Sequence, residues 1–128
     1  MIYNRPGGTE ITGDNSEIYN LEDKGLLEDF PKVLSLSELF KDNNKTTSFN
    51  HYQILIYANC SKFISVQGGN SVLSSYFGGD NIILAKRGLE IEMEEYSTIY
   101  PKLSDARIHH VENENRLLNK VHELFIDK

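Results

Sequence analysis

The sequence predicts an α/β domain, a three-layer sandwich with a parallel sheet of about five strands. Three observations lead there. Strand-like and helix-like segments alternate through most of the chain, the pattern of right-handed βαβ crossovers. Two strand candidates, Lys62-Phe63-Ile64-Ser65-Val66 and Asn81-Ile82-Ile83-Leu84-Ala85, are nearly continuous apolar runs, which suit strands covered on both faces. Between them the chain turns at Gln67-Gly68-Gly69-Asn70-Ser71 and enters an apolar segment, Val72-Leu73-Ser74-Ser75-Tyr76-Phe77, stopped by Gly78-Gly79.

The remaining elements follow in order. Met1-Ile2-Tyr3-Asn4 reads as a short strand that ends at Arg5-Pro6-Gly7-Gly8. Residues 9–20 are polar and rich in turn formers, which predicts a loop and then a short helix starting near Asp14, Asn15 or Ser16. Leu26, Leu27 and Phe30 supply an apolar face before Pro31 stops it. Val33-Leu34-Ser35-Leu36 is the second strand candidate, and Ser37 is placed to cap a helical turn with Glu38, Leu39 and Phe40. After a polar connection Ser48 caps a helix over 49–59, in which Phe49, Tyr52, Leu55, Ile56 and Asn59 recur at helical spacing. Residues 90–100 read as helical and limited by Pro101, and 107–111 as the last strand. The final helix carries Leu117, Leu118, Val121, Leu124 and Phe125 as one stripe, with Asn113, Glu114, Lys120 and Glu123 elsewhere on its surface. No internal repeat or low-complexity linker interrupts the pattern, and the sheet is expected to be Rossmann-like, with helices on both faces.

Composition narrows the function. The 128 residues fit one domain, and 39% hydrophobic with 25% charged residues is an ordinary globular balance. A net charge of −6 with no basic stripe argues against nucleic-acid binding as the main task, while leaving room for a local anion site. The single cysteine, Cys60, cannot form an internal disulfide and fits a reducing compartment as a core residue. No apolar run approaches the roughly 20 residues of a membrane span, and no signal-peptide pattern opens the chain, so a cytoplasmic setting is expected. His109 and His110 are adjacent in a strand and point to opposite faces, His51 and His122 lie on helices, and no metal-ligand spacing is present.

In open parallel sheets a ligand sits beyond the carboxyl ends of the strands. Here those ends are Arg5, Ser37, residues 67–71, Lys86, Arg87 and Glu112. The glycine turn is the most informative of them. Two glycines let backbone approach a ligand closely, and a helix start beyond them favours an anion. A tight βα turn that binds nothing has the same appearance. Lys86 and Arg87 follow the neighbouring strand and could neutralise phosphate charge, Arg87 by a bidentate contact.

The segment ANCSKFISVQGGNSVLSSYFGGDNIILAK, with the later NENRLLNKVHELF, resembles the C-terminal, donor-nucleotide-binding half of a GT-B type glycosyltransferase, and is similar to sugar-nucleotide 2-epimerases. The resemblance covers residues 48–127 as a pattern of elements and residues 67–71 as a motif. It implies that Gly68, Gly69, Asn70 and Ser71 hold the donor diphosphate and that Glu90 takes the ribose hydroxyls; Gln67, Lys86 and Arg87, by their places at the strand ends, are assigned to the same nucleotide site. Glu92, Glu94 and Glu95 stand close to Glu90, no spacing singles out Glu90, and a solvated helix face is the better explanation of the run. The implied ligand is a nucleoside diphosphate sugar as substrate, with no further cofactor and no metal. The resemblance assigns no catalytic residue here. A GT-B enzyme has two facing domains, so residues 1–128 are expected to be one Rossmann-like domain. That domain is the C-terminal half of a longer two-domain protein, or it is completed by a partner chain, or its site has been reused. Alone it is expected to be inactive.

Rival motifs fit poorly. A phosphorelay receiver needs acidic residues where Asn4-Arg5 and Gln67-Gly68 stand. The G-x-G-x-x-G fingerprint and the P-loop are both missing. A non-catalytic Rossmann-like interaction domain, using an apolar surface, is the alternative.

Overall fold

A computed structural model describes residues 1–4 and 24–127. The turn expected at Arg5-Pro6-Gly7-Gly8, the loop over 9–20, the helix start at Asp14, Asn15 or Ser16, and Arg5 as a site residue all lie outside the described residues. The chain forms two compact units, Met1–Leu55 and Ile56–Lys128.

In the first unit, β1 (Ile2–Tyr3) pairs in parallel with β2 (Leu34–Ser35), Ile2 opposite Leu34. Helix α1 (Lys24–Asp29) precedes β2, and α2 (Leu36–Lys41) follows it directly. The second strand is shorter than expected because Leu36 turns into α2 and buries its side chain completely. Ser35, with extended backbone, therefore takes the N-cap position expected of Ser37, and the two hydroxyls lie 2.9 Å apart. Helix α3 (Phe49–Tyr57) carries the chain into the second unit. Its start is as predicted, with the His51 N–H donating to Ser48 Oγ at 3.4 Å. Phe40 packs edge-on against Phe49 and tilted against Tyr52. The buried stripe runs through Gln53, whereas Leu55 is turned to solvent, so one polar residue replaces an expected apolar one.

The second unit holds β3 (Lys62–Val66), β4 (Asp80–Leu84) and β5 (Arg107–Val111), all parallel and in that order. Val66, Leu84 and Val111 stand in one row across them. The five strands found among the described residues are thus hydrogen-bonded as sheets of two and three rather than as one ladder. Within the larger sheet β4 is central and β3 marginal. The apolar run of β4 is explained by burial from both sides. Ile83 and Ala85 pack with Tyr96, Tyr100 and Val72 on one face, and Ile82 packs with Val111, Leu124 and Leu117 on the other.

Between β3 and β4, helix α4 (Gly69–Ser74) begins at Gly69, three residues ahead of the apolar run expected to form it. Its inner side is polar. Ser71, Ser74 and Ser75 are buried, while Tyr76 is half exposed. The buried Asn81 of β4 donates its amide to Ser74 Oγ at 2.9 Å and Ser75 Oγ at 3.0 Å, and both hydroxyls donate to the Ser71 carbonyl. Small hydroxyl side chains let α4 approach the sheet closely, and their bonding offsets the cost of burying polar atoms.

The expected helix over 90–100 is divided. Helix α5 (Leu89–Glu92) stops short of Glu94, whose backbone is left-handed at φ 54°, and a π-helical segment Glu95–Ile99 runs into α6 (Tyr100–Ser104). Pro101 falls in the first turn of α6, as its second residue, instead of ending a helix, a place where its missing N–H costs least. Helix α7 (Glu114–Val121) continues as a π-helical segment His122–Ile126. Asn113 caps it, its Oδ1 accepting the Arg116 N–H at 3.0 Å. Leu117, Val121, Leu124 and Phe125 cover the sheet, but Leu118 is exposed, off the stripe. No described helix is long and apolar enough to cross a membrane.

The amino ends of the strands are fastened by charge. Asp80 is only 8% exposed and receives a bidentate pair from Arg107, Nε to Oδ1 at 2.9 Å and Nη2 to Oδ2 at 2.8 Å. His109 Nε2 lies 3.1 Å from the same carboxylate. Gly78 and Gly79 both adopt φ +73° to bring the chain into β4.

Candidate functional site

The carboxyl ends of β3 and β4 lie side by side, and the loops that leave them form the candidate site. The Gln67 N–H donates to the Leu84 carbonyl at 2.9 Å, extending the ladder one residue past β3. At Gly68 the backbone swings to φ +146°, ψ −171°, a conformation that side chains rarely tolerate. Ser71 closes the turn from inside. Its Oγ accepts the Gly68 N–H at 3.1 Å, donates to the Gly68 carbonyl at 2.7 Å, and lies 3.2 Å from the Tyr96 hydroxyl. One donor and two acceptor positions are then all used. Burial, reinforced by the nearby Glu90 and Glu95 carboxylates, raises the Tyr96 pKa above its ordinary value, which keeps that O–H available as a donor.

The four residues of the expected diphosphate cradle therefore differ in what they offer. Ser71 is fully buried and its hydroxyl is engaged within the turn, as is the Gly68 N–H. Gly69, as the first helical residue, has an N–H with no intrahelical acceptor, and Asn70 follows it half-buried. A Cβ built on Gly68 or Gly69 meets no heavy atom within 4 Å, so the turn presents bare backbone to open space.

Lys86 and Arg87 occupy the loop after β4, and both are exposed. Among the described residues neither makes an ion pair or a side-chain hydrogen bond. Gln67 reaches across to this loop. Its Nε2 donates to Glu90 Oε2 at 2.7 Å, in the first turn of α5. Its amide also fills the place where a side chain of Gly88 would begin.

Two clefts flank these loops. One of about 310 Å³ is lined by Glu90, Ile91, Glu94, Tyr96, Ser97 and His110, among others. The second, about 300 Å³, lies at Leu84, Lys86, Asn113, Glu114 and Asn115, beyond the ends of β4 and β5. The acidic run is distributed: Glu90 and Glu94 line the first cleft, Glu92 is exposed, and Glu95 accepts from the Tyr100 hydroxyl at 3.2 Å. Burial and that carboxylate push the Tyr100 pKa up to about 12.

The other sequence candidates lie elsewhere. His109 belongs to the Asp80 cluster, whereas His110 Nε2 sits 2.8 Å from the Ala85 carbonyl, an acceptor, which assigns the proton to that nitrogen. Ser37 is tied to Ser35 in the first unit, and Glu112 lies 3.8 Å from Arg116 on an exposed surface. Among the described residues no three His, Cys, Asp or Glu side chains gather as a metal-ligand set. Tyr96, Gly88 and Asn113 are the site-forming residues that sequence reasoning missed. Asn113 stands before an amphipathic helix and was legible as a cap. Nothing local marks Tyr96 or Gly88. The chain matches no protein-family model, no curated protein and no solved structure.

Proposed function

We propose that this chain is the nucleotide-sugar-binding domain of a glycosyltransferase-like protein of GT-B type. The donor diphosphate lies against the turn at Gly68 and Gly69. The observation that carries this reading is a bare, open backbone turn beside two exposed and unpaired cations, Lys86 and Arg87, at the carboxyl edge of a parallel sheet. Gly69 contributes its N–H, Gly68 the room for close approach, and Asn70 the next backbone group of the helix start. Ser71 shapes the turn from behind. The six-residue α4 brings little dipole of its own, so Lys86 and Arg87 supply the charge that a diphosphate requires. The same reading takes the domain as one three-layer, Rossmann-like body in a cytoplasmic protein. An N-terminal domain or partner chain completes it by bringing the acceptor and the catalytic base.

The test is a titration of the chain with UDP, GDP and CMP and their sugars, repeated on Gly69→Val. A side chain at Gly69 projects into open space, so the fold tolerates it, while a ligand lying on the turn does not. Gly69→Val is expected to weaken nucleoside-diphosphate binding at least tenfold, about 1.4 kcal/mol. His109→Gln, remote from the turn, is expected to change binding little. A folded Gly69→Val chain that binds like the parent removes the turn from the site. Sugar transfer by the pure, monomeric chain is not expected, since transfer needs an acceptor held opposite the donor. Observed turnover would refute the need for a second domain.

A specific observation favours a second reading, a non-catalytic interaction domain. Ile64 and Val66 leave one face of β3 apolar and exposed, at 47% and 69%. Failure of the parent to bind any nucleotide at millimolar concentration selects this reading over the first.

A further inference from the structure

The geometry points to Gln67 as a positioning residue whose carboxamide latches the glycine turn to the Lys86-Arg87-Gly88 loop. This rests on the donor-binding reading above, and it changes the part played by two residues. Gln67 and Glu90 were expected to touch the nucleotide. Instead they bind each other, across 23 residues of sequence, at 2.7 Å.

Gln67 is the first residue beyond β3, and its backbone is pinned by the Leu84 carbonyl. Its side chain crosses to the loop after β4 and donates to Glu90 at the start of α5. A hydrogen bond to a carboxylate is among the stronger neutral-to-charged contacts. Gly88 makes the crossing feasible. Any Cβ there overlaps the Gln67 amide, and its φ of +144° independently disfavours a side chain. Glycine at 88 is thus required twice, once for the backbone and once for the latch.

The two anion-binding parts of the proposed site belong to the two loops that this crossing joins. Gly69 lies two residues after Gln67, while Lys86 and Arg87 lie directly before Gly88. The latch therefore sets the separation between a backbone N–H and two cations, and a diphosphate has to meet both. It also commits one acceptor position of Glu90 Oε2 to protein.

Two measurements on the full chain separate the latch from the reading it serves. Urea unfolding reports on the latch alone. Gln67→Glu sets two carboxylates against each other and is expected to lower the urea midpoint. The reversed pair, Gln67→Glu with Glu90→Gln, exchanges donor and acceptor and is expected to restore it. Titration with UDP and GDP reports on the consequence. Gln67→Glu is expected to weaken the tighter nucleotide at least about tenfold, and the reversed pair to return within about threefold of the parent. Glu90→Gln alone keeps an amide-to-amide bond and stays within the same range. A reversed pair that binds as weakly as Gln67→Glu, with circular dichroism matching the parent, overturns the latch, because one of the two side chains then meets the nucleotide itself. Undiminished binding by Gln67→Glu overturns it equally. A parent chain that binds neither nucleotide sinks the donor-binding reading, and the urea series then decides the latch: a midpoint not restored by the reversed pair refutes it.

Discussion

Gly79→Ala is expected to destabilise the chain by on the order of 3 to 4 kcal/mol. Two effects combine. At φ +73° a non-glycine residue is in the left-handed region, which costs roughly 1 kcal/mol or more. The added methyl also overlaps the Ser61 backbone carbonyl, and that carbonyl is held by the Asp80 N–H at 2.9 Å. Backbone on both sides leaves nowhere for the methyl to go, so either the entry to β4 or the Ser61 turn must shift. Against a total stability of about 5–15 kcal/mol, a loss of this size leaves a large unfolded fraction. Urea unfolding followed by circular dichroism checks it, with two companions for scale. Gly78→Ala shares the φ of +73° but approaches the Ser104 carbonyl at 3.0 Å, so it should cost less. Gly69→Ala meets nothing and should be neutral or slightly stabilising. An order other than 79 over 78 over 69 contradicts the argument.

Asp80→Asn is expected to lower stability by about 2 kcal/mol at pH 7, and by progressively less in acid. The carboxylate lies at the amino ends of β4 and β5, nearly buried, and serves Arg107 and His109 together. An amide of the same shape keeps the packing but loses the charge-assisted bonds. Arg107 is 65% exposed, so its guanidinium can return to water, which keeps the loss below that of breaking a fully buried pair. The Arg107 hydrogen bonds hold the Asp80 carboxyl well below the usual carboxylate range. Burial opposes them, and His109 assists. The folded form thus binds a proton less readily than the unfolded form. That makes the stabilisation fully present above the ordinary carboxylate pKa of about 4, and lost as pH falls through that value toward the folded one. Parent and variant should differ clearly at neutral pH and converge as pH falls below about 5. Urea midpoints at several pH values measure this, and an unchanged gap at pH 2.5 would falsify the assignment. Because the cluster is at the opposite end of the strands from the glycine turn, the donor-binding proposal expects folded Asp80→Asn to titrate with UDP and GDP as the parent does.

The candidate site was legible in outline. The glycine pair, the two cations and their strand-end positions follow from local pattern, since a strand boundary tells which residues emerge at the carboxyl edge. The hydrogen bonds within it were not. Ser71 looked like a ligand for phosphate because hydroxyls at helix starts often are, yet its hydroxyl is spent on Gly68 and Tyr96. Gln67 and Glu90 each looked like a nucleotide contact because nothing in the sequence states that they meet. The reason is general: a side chain's availability depends on partners that are distant in sequence, whereas its chemistry is visible at once.

By itself the sequence determined the strands of the larger sheet and the parallel α/β class. Residues 62–66 and 107–111 were read with the boundaries of β3 and β5, and β4 differs by one residue. Strands packed between helices must be apolar on both faces, and that requirement is written locally in Ile82 and Ile83. Tertiary structure decided what periodicity misreports. Helix α4 buries Ser71 and Ser74 beside Val72, and Asn81 of the neighbouring strand bonds Ser74 and Ser75, so its inner side carries a mixed rather than an apolar signal. Gln53 takes a buried place in α3 while Leu55 does not, and the expected helix breaks at Glu94 while Pro101 lies within the first turn of α6. The division into sheets of two and three strands is also a tertiary outcome, since strand pairing is a choice among distant segments whose own residues permit several. Local composition limits which elements form; the satisfaction of buried polar groups by remote partners decides how they are used.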